Sequence, residues 1–310
     1  MYKKVLVPLD TSELSEIALP YAEELAVKLG SELVLLHVGT WADGPDAADH
    51  NIYLNKITAA TEAKIKKSPA LPPGATVKVR SVLLGSPAII TNPPEEIIDY
   101  ADNEKVSLIV MATHGRTGIS RWALGSTANK VARAAKCSIL LIRCGAHPTG
   151  KARLEKLLVT LDGSKPSEAV LPYIEALAAK LKSRVTLLNV VELLYHVYPY
   201  SEGLGYYGSA GVVRVPYTDE EMQPAKDVAE KYMKDINEKL ASKGVKTSYQ
   251  TRIGSPAEEI IKAEEEIKPD MVAMSTHGHS GFGRFDHGSI ADKVLHAGKT
   301  PLLLVRPHKA

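Results

Sequence analysis

The chain is 310 residues long, which predicts two domains, each large enough to bury a core without disulfide support. Its 45% hydrophobic and 24% charged content is that of an ordinary globular protein and excludes extensive disorder. A net charge of +2 gives no electrostatic footprint for nucleic acid or an anionic membrane, so neither is expected as a partner, and Lys64, Lys66 and Lys67 read as one solvated helix face.

The first half opens on a short buried strand, Lys4 to Leu9, followed by Asp10 and by Thr11 and Ser12 as turn and helix cap. Helical spacing of Leu14, Ile17, Ala18, Tyr21, Leu25 and Leu29 predicts one helix from Glu13 to Leu29, stopped by Gly30. Glu32 to Val38 is the next strand, then a helix from about Asn51 to Lys67. Past the prolines at 69, 72 and 73, Val77 to Leu84 reads as strand three, Glu95 to Asn103 as a helix and Leu108 to Met111 as strand four. A last strand, Ser138 to Arg143, ends the half, and the polar stretch Gly145 to Lys151 is the expected linker.

The pattern then restarts. KLLVTLDGSKPSEAVLPYIEALAAKL from Lys156 repeats KVLVPLDTSELSEIALPYAEELAVKL from Lys4, with Asp162 against Asp10 at an offset of 162 − 10 = 152. The repeat predicts two copies of one domain, residues 1–145 and 153–308. Alternating strands and helices imply parallel sheets covered on both faces, with ligands beyond the carboxyl ends of the strands. The run from Tyr195 to Tyr217, with its tyrosines and glycines, reads as a packed surface loop or partner contact.

Cys137 and Cys144 lie at the two ends of one apolar run, and their odd spacing on a strand points them to opposite faces, so no bond between them is expected. Such usage fits a reducing compartment. The chain starts directly into a strand, and no apolar run approaches about 18 residues. The expected location is cytoplasmic.

One further stretch comes twice: MATHGRTGISRWALGSTANKV from Met111 and MSTHGHSGFGRFDHGSIADKV from Met274. Each passes from an apolar run through a glycine loop to Gly-Ser at the start of a helical pattern, with Ser126 as the expected N-cap. The first N–H groups of a helix have no partner within it, and the helix dipole makes that end positive, so an anion is favoured there. Gly125 and Gly288 would let it approach the backbone, and Gly115 and Gly278 sit where the chain turns. His114 and His277 each lie between a threonine and a loop glycine, a placement that fits loop anchoring better than general-base catalysis. His277, His279 and His287 lack the carboxylate or cysteine spacing that would complete a zinc site.

These residues resemble the signature of the universal stress proteins, ATP-binding type, G-x2-G-x9-G-[ST]. Gly115, Gly125 and Ser126 match its last three fixed positions, as do Gly278, Gly288 and Ser289; Ala112 and Ser275 stand in place of the first glycine. The resemblance implies an α/β fold of two Rossmann-like repeats, each a five-stranded parallel sheet flanked by helices. It implies that ATP or AMP contacts Pro8, Asp10, Val38, Met111, Ala112, Gly115, Gly125, Ser126 and Thr127 in the first half. The matching set in the second is Thr160, Asp162, Val190, Met274, Ser275, Gly278, Gly288, Ser289 and Ile290, and Mg2+ would arrive with the nucleotide. It also implies a pseudo-dimer of the two halves through their last strands, Ser138 to Arg143 and Leu302 to Arg306, and is compatible with a homodimer of whole chains. The expected role is an energy-sensing or stress-response module. The alternatives are a slow ATPase on the same scaffold, for which the Walker sequence is absent, and a ligand-free interaction protein.

Overall fold

The computed structural model describes residues 2–39, 47–85, 91–114, 124–143, 152–202, 209–277 and 288–307. The expected linker, Cys144, Gly115, Gly278, His279 and His287 lie outside the described residues. In the first half the elements run β1 (Lys4–Leu9), α1 (Glu13–Glu16), α2 (Leu19–Leu29), β2 (Glu32–Val38), α3 (Ala47–Lys66), β3 (Val79–Leu84), α4 (Pro93–Asn103), β4 (Leu108–Ala112), α5 (Ser126–Ala134) and β5 (Ser138–Ile142). The second half begins with β6 (Lys156–Thr160), a 3-10 turn at Ser167–Val170, α6 (Leu171–Leu181) and β7 (Arg184–Glu192). It continues through β8 (Tyr195–Glu202), β9 (Ser209–Pro216), α7 (Asp219–Ser242), β10 (Lys246–Gly254), α8 (Pro256–Ile267), β11 (Met271–Ser275), α9 (Ser289–Ala297) and β12 (Leu302–Val305).

The helix expected from Glu13 to Leu29 and the loop expected from Tyr195 to Tyr217 differ from the structure. The single helix from Glu13 to Leu29 is broken at Ile17 and Ala18, because Pro20 stands in the first turn of α2. A proline there has no N–H to give and its ring would collide with the carbonyl of Glu16 in a continuous helix. At the equivalent place Pro172 stands in the first turn of α6, which follows the 3-10 turn without a gap. The Tyr195 to Tyr217 run is a β-hairpin and not a loop: β8 and β9 pair antiparallel, Tyr195 opposite Pro216, in a sheet of their own. Alternating β-branched and aromatic residues favour that extended pairing.

Within each half the strands of the main sheet are parallel, in the orders β5-β4-β1-β2-β3 and β12-β11-β6-β7-β10. Their side chains alternate between two cores. Val5, Val7, Leu33 and Leu35 face one side with Leu25 of α2, while Leu6, Val34, Leu36 and Ile109 face the other with Ile97 of α4 and Val131 of α5. Each such side chain, removed from water almost completely, contributes about 1.5–3 kcal/mol.

The halves join edge to edge. β12 pairs antiparallel with β5, Leu302 opposite Leu141 and Leu304 opposite Ile139, giving one ten-stranded sheet. A reciprocal pair of arginines fastens the joint. Arg143, just past β5, donates to the carbonyls of Val294 and Leu295 at the end of α9 and to Thr300. Arg306, just past β12, donates to Ala132 and Arg133 at the end of α5. The last carbonyls of a helix lack internal partners, so each half supplies a cationic cap to the other. Arg133 and Asp292 add an ion pair between α5 and α9.

The repeat also exposes two strained positions. Thr11 holds φ 71° where the equivalent residue is Gly163 at φ 84°, and Lys182 holds φ 57° at the end of α6 where α2 ends on Gly30 at φ 67°. Left-handed backbone costs a residue with a Cβ about 1–2 kcal/mol, and most for a β-branched one. Thr11→Gly and Lys182→Gly should each raise stability by about 1 kcal/mol, Thr11→Gly more, read as an increase in thermal midpoint; a decrease for both would contradict this account.

Candidate functional site

In each half the strand order reverses beside the first strand: β1 lies between β4 and β2, and β6 between β11 and β7. Crossovers leave opposite faces of the sheet at that point, so a crevice opens beyond the carboxyl ends of the strands. Asp10 and Asp162 stand at its edge. Each closes a local turn: Oδ1 of Asp10 accepts from the Ser12 backbone N–H at 3.1 Å and hydroxyl at 2.5 Å, and Oδ1 of Asp162 accepts from the Ser164 N–H at 2.9 Å. Such turns are what an aspartate after a strand forms by itself, so the carboxylates are oriented before any ligand arrives.

Across the crevice stand the starts of α5 and α9. The N-cap residues are Gly125 and Gly288, and Ser126, expected as the cap, is instead the first helical residue. The cause is a tie to the strand end: Gly125 donates its N–H to the Thr113 carbonyl at 2.8 Å, and Gly288 donates to Thr276 at 2.7 Å. A glycine cap has no side chain to satisfy the N–H groups of the first turn, and those groups face the crevice.

In the second half the walls form one cavity of about 650 Å³. It gathers Thr160, Asp162, Val190, Met274, Ser275, Gly288, Ser289 and Ile290, every described site residue expected for that half. In the first half Pro8 lies near the end of β1 and Asp10 just past it, Val38 ends β2, Met111 and Ala112 end β4, and Gly125 caps α5, which starts with Ser126 and Thr127. Ser275, which replaces a signature glycine, places its hydroxyl 3.4 Å from the His277 N–H.

The sequence profile of the universal stress protein family matches residues 1–143 and 153–306. The chain belongs to the universal stress protein family. Among relatives of this universal stress protein, one from Bacillus subtilis is 31% identical over 46% of this chain and all of its own length. One from Methanocaldococcus jannaschii is 29% identical over 46% of this chain and 83% of its own length. A longer one from Mycobacterium tuberculosis is 23% identical over 86% of this chain and 80% of its own length. Among solved structures, a universal stress protein of Archaeoglobus fulgidus superposes with a TM-score of 0.63 at 19% identity, covering 99% of both chains, which shows the shared fold.

Several groups at the crevices of this universal stress protein carry no sequence motif. Tyr53 of α3 donates to Glu16 at 3.1 Å, and burial, then Glu16 and Asp10, pushes its phenol well above the ordinary value. Tyr232 of α7 lines the second cavity and is raised by burial, then by Glu168 and Asp162. Both phenols therefore stay protonated donors at neutral pH. His37 of β2 bonds the Leu9 carbonyl at 2.7 Å through Nδ1, and Asn189 of β7 does the same to Leu161 at 2.8 Å through Nδ2.

His114 and His277 each hold Nδ1 within 3.0 and 2.9 Å of the preceding threonine hydroxyl, which anchors the strand-to-loop corner. Among the described residues no group of three or more His, Cys, Asp or Glu could hold a metal ion, and no helix is long and apolar enough to cross a membrane. Cys137 is free, and burial pushes its thiol up to about 12.

The two caps differ in tightness. A Cβ on Gly125 would meet the Thr113 carbonyl oxygen at 3.0 Å, whereas one on Gly288 would lie 3.4 Å from that of Thr276. Both substitutions weaken a helix cap, but only the first forces backbone apart. Gly125→Ala should therefore cost roughly 1 kcal/mol more than Gly288→Ala in denaturant unfolding; equal costs, or the reverse order, would contradict the geometry.

Proposed function

We propose that this universal stress protein is an adenine-nucleotide binding module whose occupancy by ATP or AMP is its signal, in an energy-sensing or stress-response role. The observation that carries the reading is the second-half cavity, which combines an uncapped helix start, an oriented carboxylate and an apolar wall in about 650 Å³. Pockets of this size and make-up hold small organic ligands.

The parts divide the ligand among them. The N–H groups of Ser289, Ile290 and Ala291, at the positive end of α9, would receive the phosphates. Asp162, its carboxylate already held by Ser164, would accept from the ribose hydroxyls beside Thr160. Met274 would pack on the base and the Val190 backbone would meet its edge. Asp10, Val38, Met111, Ala112, Gly125, Ser126 and Thr127 would form the corresponding set of the first half, with Pro8 beside the sugar, and Gly115 and Gly278, outside the described residues, would belong to the same two sets. Mg2+ would enter with the nucleotide, held by its phosphates. The histidines next to the sites are engaged by their own threonines, which favours binding over hydrolysis.

The test is calorimetry with ATP on the wild type, Gly288→Val and Gly125→Val. A valine cap fills the approach to the helix start, so each variant should lose at least about tenfold in affinity at its own half and keep the other site, with circular dichroism confirming the fold. Unchanged affinity in both variants, or no ATP binding by the wild type, would overturn the proposal.

A further inference from the structure

The two halves solve one local problem differently. His37 and Asn189 occupy the same place in the repeat, 189 − 37 = 152, and both reach from the second strand to the carbonyl that ends the first. In each case the carbonyl can only accept. That fixes Nδ1–H of His37 and the amide NH2 of Asn189 as donors and leaves the other polar atom, His37 Nε2 or Asn189 Oδ1, as an acceptor.

In the first half the protein supplies the donor. His50 of α3 places Nδ1 2.7 Å from His37 Nε2, the rings 4.6 Å apart, both side chains buried. The second-half equivalent of α3 is α7, and Tyr53 and Tyr232 set the correspondence, since each is half-buried and feels the charge of its own half's pair of acids, Glu16 and Asp10 or Glu168 and Asp162. Three residues before them stand His50 and Ala229. A methyl thus replaces the imidazole, and Asn189, with 5% exposure, has a buried Oδ1 with no hydrogen-bond partner among the described residues. Asn189, Ala229 and Tyr232 all line the cavity.

An unpaired buried acceptor costs about 1–3 kcal/mol, which a ligand N–H placed against it would recover. We infer that Asn189 Oδ1 is a specificity-determining acceptor of the second half, selecting bases that present an amine over bases that present an oxo group. The inference rests on the nucleotide reading of that cavity. An oxo group at the same place would oppose one lone pair with another. The first half, with its acceptor already bound by His50, lacks this means of selection, so the two halves differ in what they admit.

The experiment compares ATP with inosine triphosphate, which carries a 6-oxo in place of the 6-amino group, at the site lost in Gly288→Val. The wild type should prefer ATP there by about tenfold or more, and Asn189→Leu should bring the two within about threefold. Ala229→His restores the first half's donor, so it should weaken ATP at that site by about tenfold or more while melting no lower than wild type. Equal affinity in the wild type, or a preference that survives Asn189→Leu, overturns the inference and leaves nucleotide binding standing. Absence of binding by either triphosphate overturns both.

Discussion

The hydrogen bond from a glycine N–H to a threonine carbonyl, Gly125 to Thr113 and Gly288 to Thr276, is the contact on which the candidate sites depend. It holds the first turn of a helix against the carboxyl edge of the sheet, and it does so with a residue that cannot cap the turn itself. A serine or aspartate cap would satisfy the leading N–H groups internally. Glycine leaves them facing the crevice, at the end of the helix where the dipole is positive. Stability given up at the cap thus leaves a helix end where an anion would be favoured.

The opposite ends of the same helices are where the halves are joined. Arg143 and Arg306 cap α9 and α5 from across the β5–β12 seam, so each helix has its N-terminus at one half's crevice and its C-terminus held by the other half. Burial lowers the pKa of the Arg143 guanidinium, with Glu264 opposing the shift, yet guanidinium remains charged at any physiological pH. A partly buried cation with three carbonyl partners is costly to remove and specific in geometry. It explains why two domains that repeat one another form one continuous sheet with an antiparallel pair at its centre.

Much of this was legible in the sequence, because the informative signals are local. β1, read as Lys4 to Leu9, coincides with the strand, and the offset of 152 between Asp10 and Asp162 announced the duplication. Gly125-Ser126 and Gly288-Ser289 marked the helix starts, though the tie to threonine moves the cap from serine to glycine. The break before Pro20 was hidden under helical periodicity that continues across it. The pairing of His37 with His50, and its replacement by Asn189 and Ala229, was not legible at all. It requires the strand register that sets His37 beside Leu9 and the packing of α3 over it, neither of which has a sequence signature.

The reading of the helix starts as anion sites is tested most directly by the amide resonances of the first turn of α9. Titrating ATP into isotope-labelled protein should shift the backbone N–H signals of Ser289, Ile290 and Ala291 more than those at the far end of the same helix. Saturable binding of ATP that leaves those three amides unmoved would contradict it.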